Sequence, residues 1–354
     1  MISKRNIIVS LFLIFNLFVL NAEINSVSHG WGLFNRLSDS RITSLSFSTI
    51  AYPIASSGIA LVNPALSSVY NEKIGLTHQS RIAGMVNSEL ISFNKGISDS
   101  SWASIAILYE GISGIPDTRN ALLDWGNDGV FGTFDPGENN GILDEGERLD
   151  ANKISYFSQN QFGLYGAMSK PYNGWKLGLG MKLLFHTLDD NYALGTGMNF
   201  GAFRSLKNGT SIGIVLYDAP SSGVLWNNGD IELTPSSFSI GIHHLFFVEK
   251  YQIAINPVYR LDILMKERTI DSRLLFNTIP IEFSGGIETI YNRKIFARVG
   301  FYPSGTIATG LGVSWENITI DYAYLIDNSI TGIDKNHLIT LSLSSDFIKK
   351  KVAN

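Results

Sequence analysis

The chain contains no cysteine among its 354 residues. This absence excludes disulfide bonds, thiolate metal sites, a thiol nucleophile and a lipid-modified N-terminal cysteine. Charged residues are also scarce, at 16%, whereas soluble domains usually carry about a quarter. The net charge is −4 and no basic cluster occurs, so nucleic acid, which requires a basic face, is not expected as a partner.

Long apolar runs are missing as well, except for one at the N-terminus. Lys4 and Arg5 precede an apolar run from Ile7 to Leu20, and the small residue Ala22 follows it. The run is shorter than the roughly 20 residues that a membrane-spanning helix needs. The pattern therefore predicts that residues 1–22 are a secretory signal peptide rather than a membrane anchor.

The rest of the chain is rich in segments where apolar and polar residues alternate. In the segment 175–186, for example, Trp175 and Leu177 begin an apolar face, while Lys176 and several glycines share the opposite face. Strands of globular proteins average about five or six residues, whereas a tilted strand needs about 9–11 to cross a bilayer. Residues 73–348 are therefore predicted to form an all-β, transmembrane antiparallel β-barrel of about 14 strands. The predicted strands lie near 73–82, 87–96, 101–111, 156–169, 174–188, 192–204, 209–218, 236–247, 251–264, 279–290, 294–303, 305–316, 317–326 and 336–348.

The alternation also predicts which charged side chains face the interior of the barrel. They carry both signs in similar number, so pairing inside a narrow lumen is favoured over a path lined by one sign, although a substrate path stays open as the alternative. The predicted lumen-facing residues are Lys176, Lys182, His186, Arg260, Asp262, Glu282, Glu288, Arg298 and Asp321.

A turn near the N-terminus carries a resemblance to a known group of proteins. The turn Asn63-Pro64-Ala65 follows the small residues 55–58 and precedes paired long strands, and glycine-rich strands begin at Lys176 and at Gly285. In these features, residues 40–347 resemble the FadL-like outer-membrane barrels, and within that group most of all the PorV/PorQ family associated with type IX secretion. The resemblance implies that residues 23–72 fold into the lumen as a plug.

The resemblance also implies a function. PorV-like proteins escort secreted cargo to a surface attachment machinery, so we expect a cargo-binding or escort component in a Gram-negative outer membrane. Its expected partners are membrane lipid, secreted cargo and secretion-machinery proteins. The alternative is a FadL-like transporter of hydrophobic small molecules, although residues 23–72 lack the long apolar segment expected for fatty-acid transport. A soluble β-rich protein is a third interpretation.

One long insertion, residues 112–152, concentrates carboxylates, asparagines and glycines. With Asp124 in the first place of a twelve-residue calcium loop, Asp128 falls fifth, Gly129 sixth and Asp135 twelfth, while the third ligand is missing. A second register has Gly141 sixth, but a proline occupies its first place. The alternative is a solvated acidic loop without an ion. The candidate Ca²⁺ ligands are Asp124, Asp128, Asp135, Glu138, Asp144 and Glu147.

No other constellation in the sequence indicates catalysis or a cofactor. The six histidines are scattered, and His243 and His244 point to opposite faces of a regular strand, so they cannot chelate one ion. No Gly-x-Ser-x-Gly motif, phosphate-binding loop or dinucleotide fingerprint opens a helix. We therefore expect that the protein is not an enzyme. The residues after the last predicted strand, 349–354, are expected to form a short C-terminal tail.

Overall fold

The structure is a computed structural model that describes residues 24–25, 31–68, 73–98, 100–265, 274–276, 279–326 and 336–344. The predicted signal peptide and the predicted C-terminal tail lie outside the described residues. Across the described residues, no helix combines the length and the apolar character needed to cross a membrane.

Among the described residues, fourteen strands of seven or more residues form one closed antiparallel sheet, and this confirms the predicted barrel. Each strand pairs with its neighbours in sequence, and the last strand pairs with the first through Ser344 and Lys73. The strands are β1 Lys73–Arg81, β2 Val86–Ser98, β3 Ser101–Asp117, β4 Ser155–Tyr172, β5 Trp175–Leu188, β6 Asn191–Ser205, β7 Thr210–Trp226, β8 Ile231–His244, β9 Ile253–Leu264, β10 Ile279–Tyr291, β11 Ile295–Phe301, β12 Ile307–Trp315, β13 Ile318–Ile326 and β14 Asn336–Ser344.

The two faces of the strands have opposite character. On β5 the apolar side chains of Leu177, Met181 and Phe185 are exposed on the outer face, whereas Lys182 and His186 are buried on the inner face. Exposed apolar side chains continue around the outside of the other strands. An apolar outer belt on a closed sheet is the arrangement that a bilayer requires, because closure leaves no unpaired backbone edge in lipid.

The connections between strands differ in length at the two ends of the barrel. At one end, called here the turn end, most connections are short, as at 99–100, 173–174 and 316–317. At the other end, called here the loop end, the connections include residues 118–154, 265–278 and 327–335. The acidic insertion belongs to the loop end.

Residues 31–68, called here the inner segment, pack against the inner face of the strands. Their α-helices are α1 Gly32–Arg36, α2 Ser40–Thr43 and α3 Ile59–Val62, and short 3₁₀ helices occur at Thr49–Ala51 and Pro64–Ser68. Apolar side chains of this segment form two buried clusters with wall residues, one around Trp31 and one around Ile50. The predicted plug covers residues 23–72, of which 24–25 and 31–68 are described, and its role as a plug stays a prediction.

Strand boundaries differ most from the sequence-based expectation at the C-terminal ends of β3 and β7. β3 continues to Asp117 and β4 begins at Ser155, so the acidic connection is 118–154 rather than 112–152. β7 continues to Trp226 rather than ending near 218. Pro220, which has no backbone N–H to donate to a sheet, lies just beyond the predicted end of this strand. The strand instead accommodates Pro220 in a bulge and resumes pairing beyond it.

Candidate functional site

One turn of the inner segment packs against wall positions that are occupied by glycine. The Asn63-Pro64-Ala65 turn lies over two inward-facing glycines on neighbouring strands. A Cβ atom at Gly178 would overlap the backbone of Pro64 and Ala65, and one at Gly201 would overlap the side-chain oxygen of Asn63. The glycines of β5 and β6 therefore form a groove for this turn. This explains why the turn and the glycine-rich strand that begins at Lys176 occur in the same sequence.

Hydrogen bonds fix the same turn in place. The Asn63 side-chain amide donates to the backbone carbonyl of Ile50 at 2.7 Å, and its oxygen accepts from the Ala65 backbone N–H at 3.0 Å. The hydroxyl of Tyr165, on β4, donates to the backbone carbonyl of Ala60 at 2.7 Å. Buried polar groups need such partners because water is excluded there. The turn is thus a structural anchor of the inner segment.

A buried charge network joins the inner segment to the opposite wall. The Arg41 guanidinium makes two hydrogen bonds of 2.8 Å to the carboxylate of Glu288, and the Tyr52 hydroxyl donates to the same carboxylate at 2.5 Å. Arg298 bridges Glu288 and Asp321, at 2.6 Å to each. Three of the predicted lumen-facing residues are therefore brought together, in an arrangement in which both signs are paired. This network lies in the half of the barrel nearer the turn end.

Helix α2 presents Arg41 to this network because its first turn is capped. The Asp39 carboxylate accepts from the Ile42 backbone N–H at 2.9 Å and from the hydroxyl of Ser56. An aspartate in this position satisfies a backbone donor that the helix leaves free. Burial raises the pKa of the Asp39 carboxyl above its ordinary value, and the two hydrogen bonds act in the opposite direction.

Toward the loop end, a cavity of about 640 Å³ opens above the inner segment. Cavities of roughly 300–1,000 Å³ are typical of small-molecule sites. Apolar side chains of the inner segment contribute to its lining: Phe34, Phe47, Leu61 and Val62. The barrel wall adds polar side chains, among them Gln79, Arg81, Ser236, Arg260, Asp262 and Glu282. The cavity can therefore hold a small molecule with an apolar body beside hydrogen-bonding groups.

The charged groups of the cavity wall are mostly engaged with one another. Arg81 pairs with the buried carboxylate of Glu110, which also accepts from the Ser88 hydroxyl at 3.0 Å. Arg260 pairs with Asp262 at 2.8 Å. Pairing neutralises these charges, so the cavity does not present one sign to a ligand.

The remaining predicted lumen-facing residues take different positions. Lys182 is buried and pairs with Asp218 at 2.6 Å. Lys176 is half-buried near the turn end of β5. His186 is buried against the ring of Trp226, with ring centroids 4.9 Å apart. Glu282 lines the cavity together with Arg260. The predicted set thus divides between the turn-end network, the cavity wall and the inner face of β5.

One wall of the cavity contains an interruption in the sheet. Residues 217–222 of β7, called here the β7 bulge, are not paired with β6, and residues 218–220 are not paired with β8 either. Pairing with β6 stops at Leu216 and resumes at Gly223, while pairing with β8 stops at Tyr217 and resumes at Ser221. Tyr217 and Asp218 of the bulge line the cavity. The cavity therefore reaches the part of the wall where backbone pairing is weakest.

Sequence reasoning did not identify several residues of this region. Arg41 and Asp39 lie in a segment without strand periodicity, and Glu110 was not assigned to the lumen. Asp218 precedes Pro220 within a strand, and a proline inside a central strand is a signal of a bulge. That signal could have identified the β7 bulge.

The acidic connection is held together by its own carboxylates. Asp124 accepts from the backbone N–H groups of Asn140 and Gly141, and Glu147 accepts from those of Gly126 and Asp144. Five of the six predicted ligands, Asp124, Asp128, Asp135, Glu138 and Glu147, accept from backbone N–H groups in this way, and Asp144 accepts from the Asn140 side-chain amide. Within the described part of the chain, no group of three or more acidic or histidine side chains is arranged to hold a metal ion. Calcium binding by this connection stays a prediction.

Comparison with solved structures relates the barrel to known transporters. The toluene transporter TbuX of Ralstonia pickettii has a TM-score of 0.53 at 11% identity, covering 88% of this chain and 99% of its own. The CymD monoaromatic hydrocarbon channel has a TM-score of 0.49 at 12% identity, covering 90% and 97%. A FadL homologue of Pseudomonas aeruginosa has a TM-score of 0.48 at 10% identity, covering 86% and 97%.

At such low identity the likeness concerns the fold alone. The chain shares the barrel fold of TbuX. No protein-family model matches the sequence, and no curated protein does. The finer assignment to the PorV/PorQ family therefore stays a prediction, as does the expectation that the chain is not an enzyme.

Proposed function

We propose that this protein transports small hydrophobic molecules across the outer membrane. The observation that carries the proposal is the cavity of about 640 Å³ at the loop end, which has apolar side chains in its lining and extends to the β7 bulge. The loop end faces the exterior in this proposal, because outer-membrane barrels carry their longer loops there. Of the two functions expected from the sequence, the transporter is thus preferred to the secretion escort.

The inner segment shapes the route in this proposal. Its apolar clusters and the Arg41–Glu288 pair fix it to the wall below the cavity. We therefore infer that it acts as a plug, so that a ligand leaves the cavity sideways rather than along the barrel axis. The β7 bulge is the exit, because it borders the cavity and lacks regular pairing with β6. An apolar ligand that passes there enters the bilayer without crossing water.

The likeness to TbuX supports the chemical class of the ligand. TbuX is described as a toluene transporter. A toluene-sized molecule fits the cavity easily, and the side chains of Phe34, Phe47 and Leu61 offer it an apolar surface. The many hydrogen-bonding groups of the wall allow a polar substituent as well. Toluene is therefore the first ligand to test.

Displacement of an apolar fluorescent probe by toluene tests the binding step. The variant Thr234→Trp places a bulky ring into the cavity lining, and we expect it to weaken probe binding by roughly tenfold through steric overlap. Thr289→Trp is the matched control, because Thr289 lies on β10 outside the cavity lining. Equal binding by the wild type, Thr234→Trp and Thr289→Trp would contradict the proposed site.

The secretion escort is a second candidate, and one feature favours it. The acidic connection exposes several large apolar side chains, with Phe134 at 90% and Phe131 at 65% exposure. Residues 124–150 combine them with eight carboxylates and one arginine. An apolar and acidic surface of this kind fits a partner protein with apolar and basic residues.

Crosslinking in native membranes separates the two candidates. The escort function predicts an exported protein crosslinked to the wild type and lost in the Phe131→Ser, Phe134→Ser double variant. Transport predicts that this variant keeps toluene binding and has no dependent partner. An unchanged crosslinking pattern would exclude the apolar side chains of this loop as the contact.

A further inference from the structure

Lys182 occupies an unusual position relative to the β7 bulge. It lies on β5, two strands away from β7, and its ammonium group is 2.6 Å from the carboxylate of Asp218. The strand between them, β6, has Gly197 directly opposite Lys182. A Cβ atom at Gly197 would overlap the Ser222 hydroxyl. The missing side chain therefore leaves room for the bulge to fold over β6 toward the lysine.

Asp218 is the polar centre of the bulge. Its backbone has a φ of 54°, a conformation that residues other than glycine adopt rarely. Its carboxylate accepts from the Ser222 hydroxyl at 2.6 Å, and its backbone N–H donates to the Asn199 side chain at 3.1 Å. The bulge is thus held by side-chain contacts to Lys182 and Asn199 at the positions where backbone pairing with β6 is interrupted.

The same lysine also contacts the inner segment. Its ammonium group lies 5.7 Å from the ring centroid of Trp31 and 5.8 Å from that of Phe34. Aromatic faces attract cations at such distances. Phe34 lines the cavity, so a ligand that moves this ring alters the surroundings of Lys182. One ammonium group therefore connects the cavity, the inner segment and the bulge.

Both partners of the ion pair are almost completely buried, with Lys182 at 2% and Asp218 at 3% exposure. Removal of one partner leaves the other charge buried without compensation, which is strongly unfavourable. The ion-paired state is therefore much more stable than the separated state while water is excluded from both groups. Water or a polar ligand that reaches the ion pair lowers the free-energy difference between these two states.

We propose that Lys182 and Asp218 form a latch that closes the seam between β6 and β7. The proposal rests on the transport function inferred above, in which the β7 bulge is the exit. The latch keeps the bulge folded over β6 while the cavity is empty. Displacement of Phe34 and Trp31 by a ligand loosens the lysine and frees the bulge. Lys182 is thus a positioning residue for the bulge and does not itself carry the ligand.

Cysteine labelling tests the latch, because the chain has no native cysteine. Ala219→Cys places a single thiol in the bulge, where Ala219 is buried. In the full-length protein, we expect a membrane-permeant maleimide to label this thiol slowly. Adding Lys182→Met or Asp218→Asn is expected to raise the labelling rate about tenfold, because the bulge opens more often. Met198→Cys on β6, beside the gap in pairing, serves as a second reporter and is expected to respond in the same direction.

Matched variants distinguish a latch from a general loss of stability. Arg81→Gln breaks another ion pair of the cavity wall, between β1 and β3, and is expected to leave the labelling rate unchanged. Ser222→Ala removes one hydrogen bond to Asp218 and keeps both charges, so we expect a smaller rise in the labelling rate. This variant replaces Lys182→Met as the test if Lys182→Met fails to fold. Folding is checked by the faster gel migration of the unheated protein.

Labelling requires no substrate, so it is independent of the transport assay. An equal labelling rate in the wild type, Asp218→Asn and Ser222→Ala backgrounds, all folded, would overturn the latch. A similar rise with Arg81→Gln would also overturn it, because the effect would not be specific to the seam. If labelling responds but toluene does not displace the probe, the latch stands and the transport function fails.

Discussion

At the scale of single residues, buried charges hold the inner segment and the wall together. Glu288 is fully buried and accepts hydrogen bonds from Arg41, Tyr52 and Arg298. Arg41 and Glu288 are 247 positions apart in the sequence. Alternation could place Glu288 inside the barrel, but it could not identify Arg41 as its partner, because no local pattern encodes a contact over that distance.

Glu288→Gln leaves two arginines buried beside a neutral amide. We expect a loss of about 3–5 kcal/mol in the free energy of unfolding, because a buried charge without its partner is strongly unfavourable. Glu89→Gln is the control, since Glu89 pairs with His78 at a site where both side chains are half exposed, and such pairs contribute about 0–1 kcal/mol. The denaturant concentration at which half of the faster-migrating folded band is lost measures the stability of each variant. Equal midpoints for Glu288→Gln and Glu89→Gln would exclude a central role for the network.

At the scale of elements, the glycine groove of β5 and β6 receives the Asn63-Pro64-Ala65 turn. Gly178→Ala and Gly201→Ala add a methyl group where the turn already lies. We expect each to destabilise the protein by about 1–3 kcal/mol through overpacking. Gly166→Ala on β4 is the control, because a Cβ atom there meets nothing within 4 Å. If Gly166→Ala lost as much stability as the other two variants, the loss would come from replacing glycine within a β-strand and not from overlap with the turn in the groove.

The acidic connection, residues 118–154, is a second element with a testable property. If it binds Ca²⁺, the carboxylates that now accept from backbone N–H groups turn to the ion, and several millimolar Ca²⁺ protects the loop of the full-length protein from protease. Asp128→Asn with Asp135→Asn is expected to abolish that protection. Cleavage at the same rate with Ca²⁺ and with chelator would leave the plain acidic loop as the correct interpretation.

The strands could be predicted from the sequence, because each one carries its own evidence in the alternation of apolar and polar residues. The glycine-rich face of β5 and the apolar face that includes Leu177 are visible in the sequence alone. The β7 bulge was harder to predict from the sequence, because pairing beyond Pro220 depends on the two neighbouring strands. The path of the inner segment was not predictable in detail, since short helices such as α2 are defined by their contacts with the wall.

At the scale of the whole molecule, closure of the sheet and the apolar outer belt suit a bilayer, and in the proposed function the inner segment determines the route of the ligand. The barrel alone would enclose a wide lumen, yet residues 31–68 fill part of it and form one side of the loop-end cavity. In the proposed function, binding and release take place in different parts of the protein, the cavity and the β7 bulge. The fold is compatible with other functions, so a direct measurement of flux is decisive.

That measurement is the uptake of labelled toluene by cells whose outer membrane contains the wild type, Thr234→Trp or Thr289→Trp at equal amounts. Transport through the cavity predicts faster uptake with the wild type than with cells that lack the protein. It also predicts a reduction of roughly tenfold with Thr234→Trp, in line with its weaker binding, and no change with Thr289→Trp. Uptake that is the same with and without the protein would contradict the proposed function.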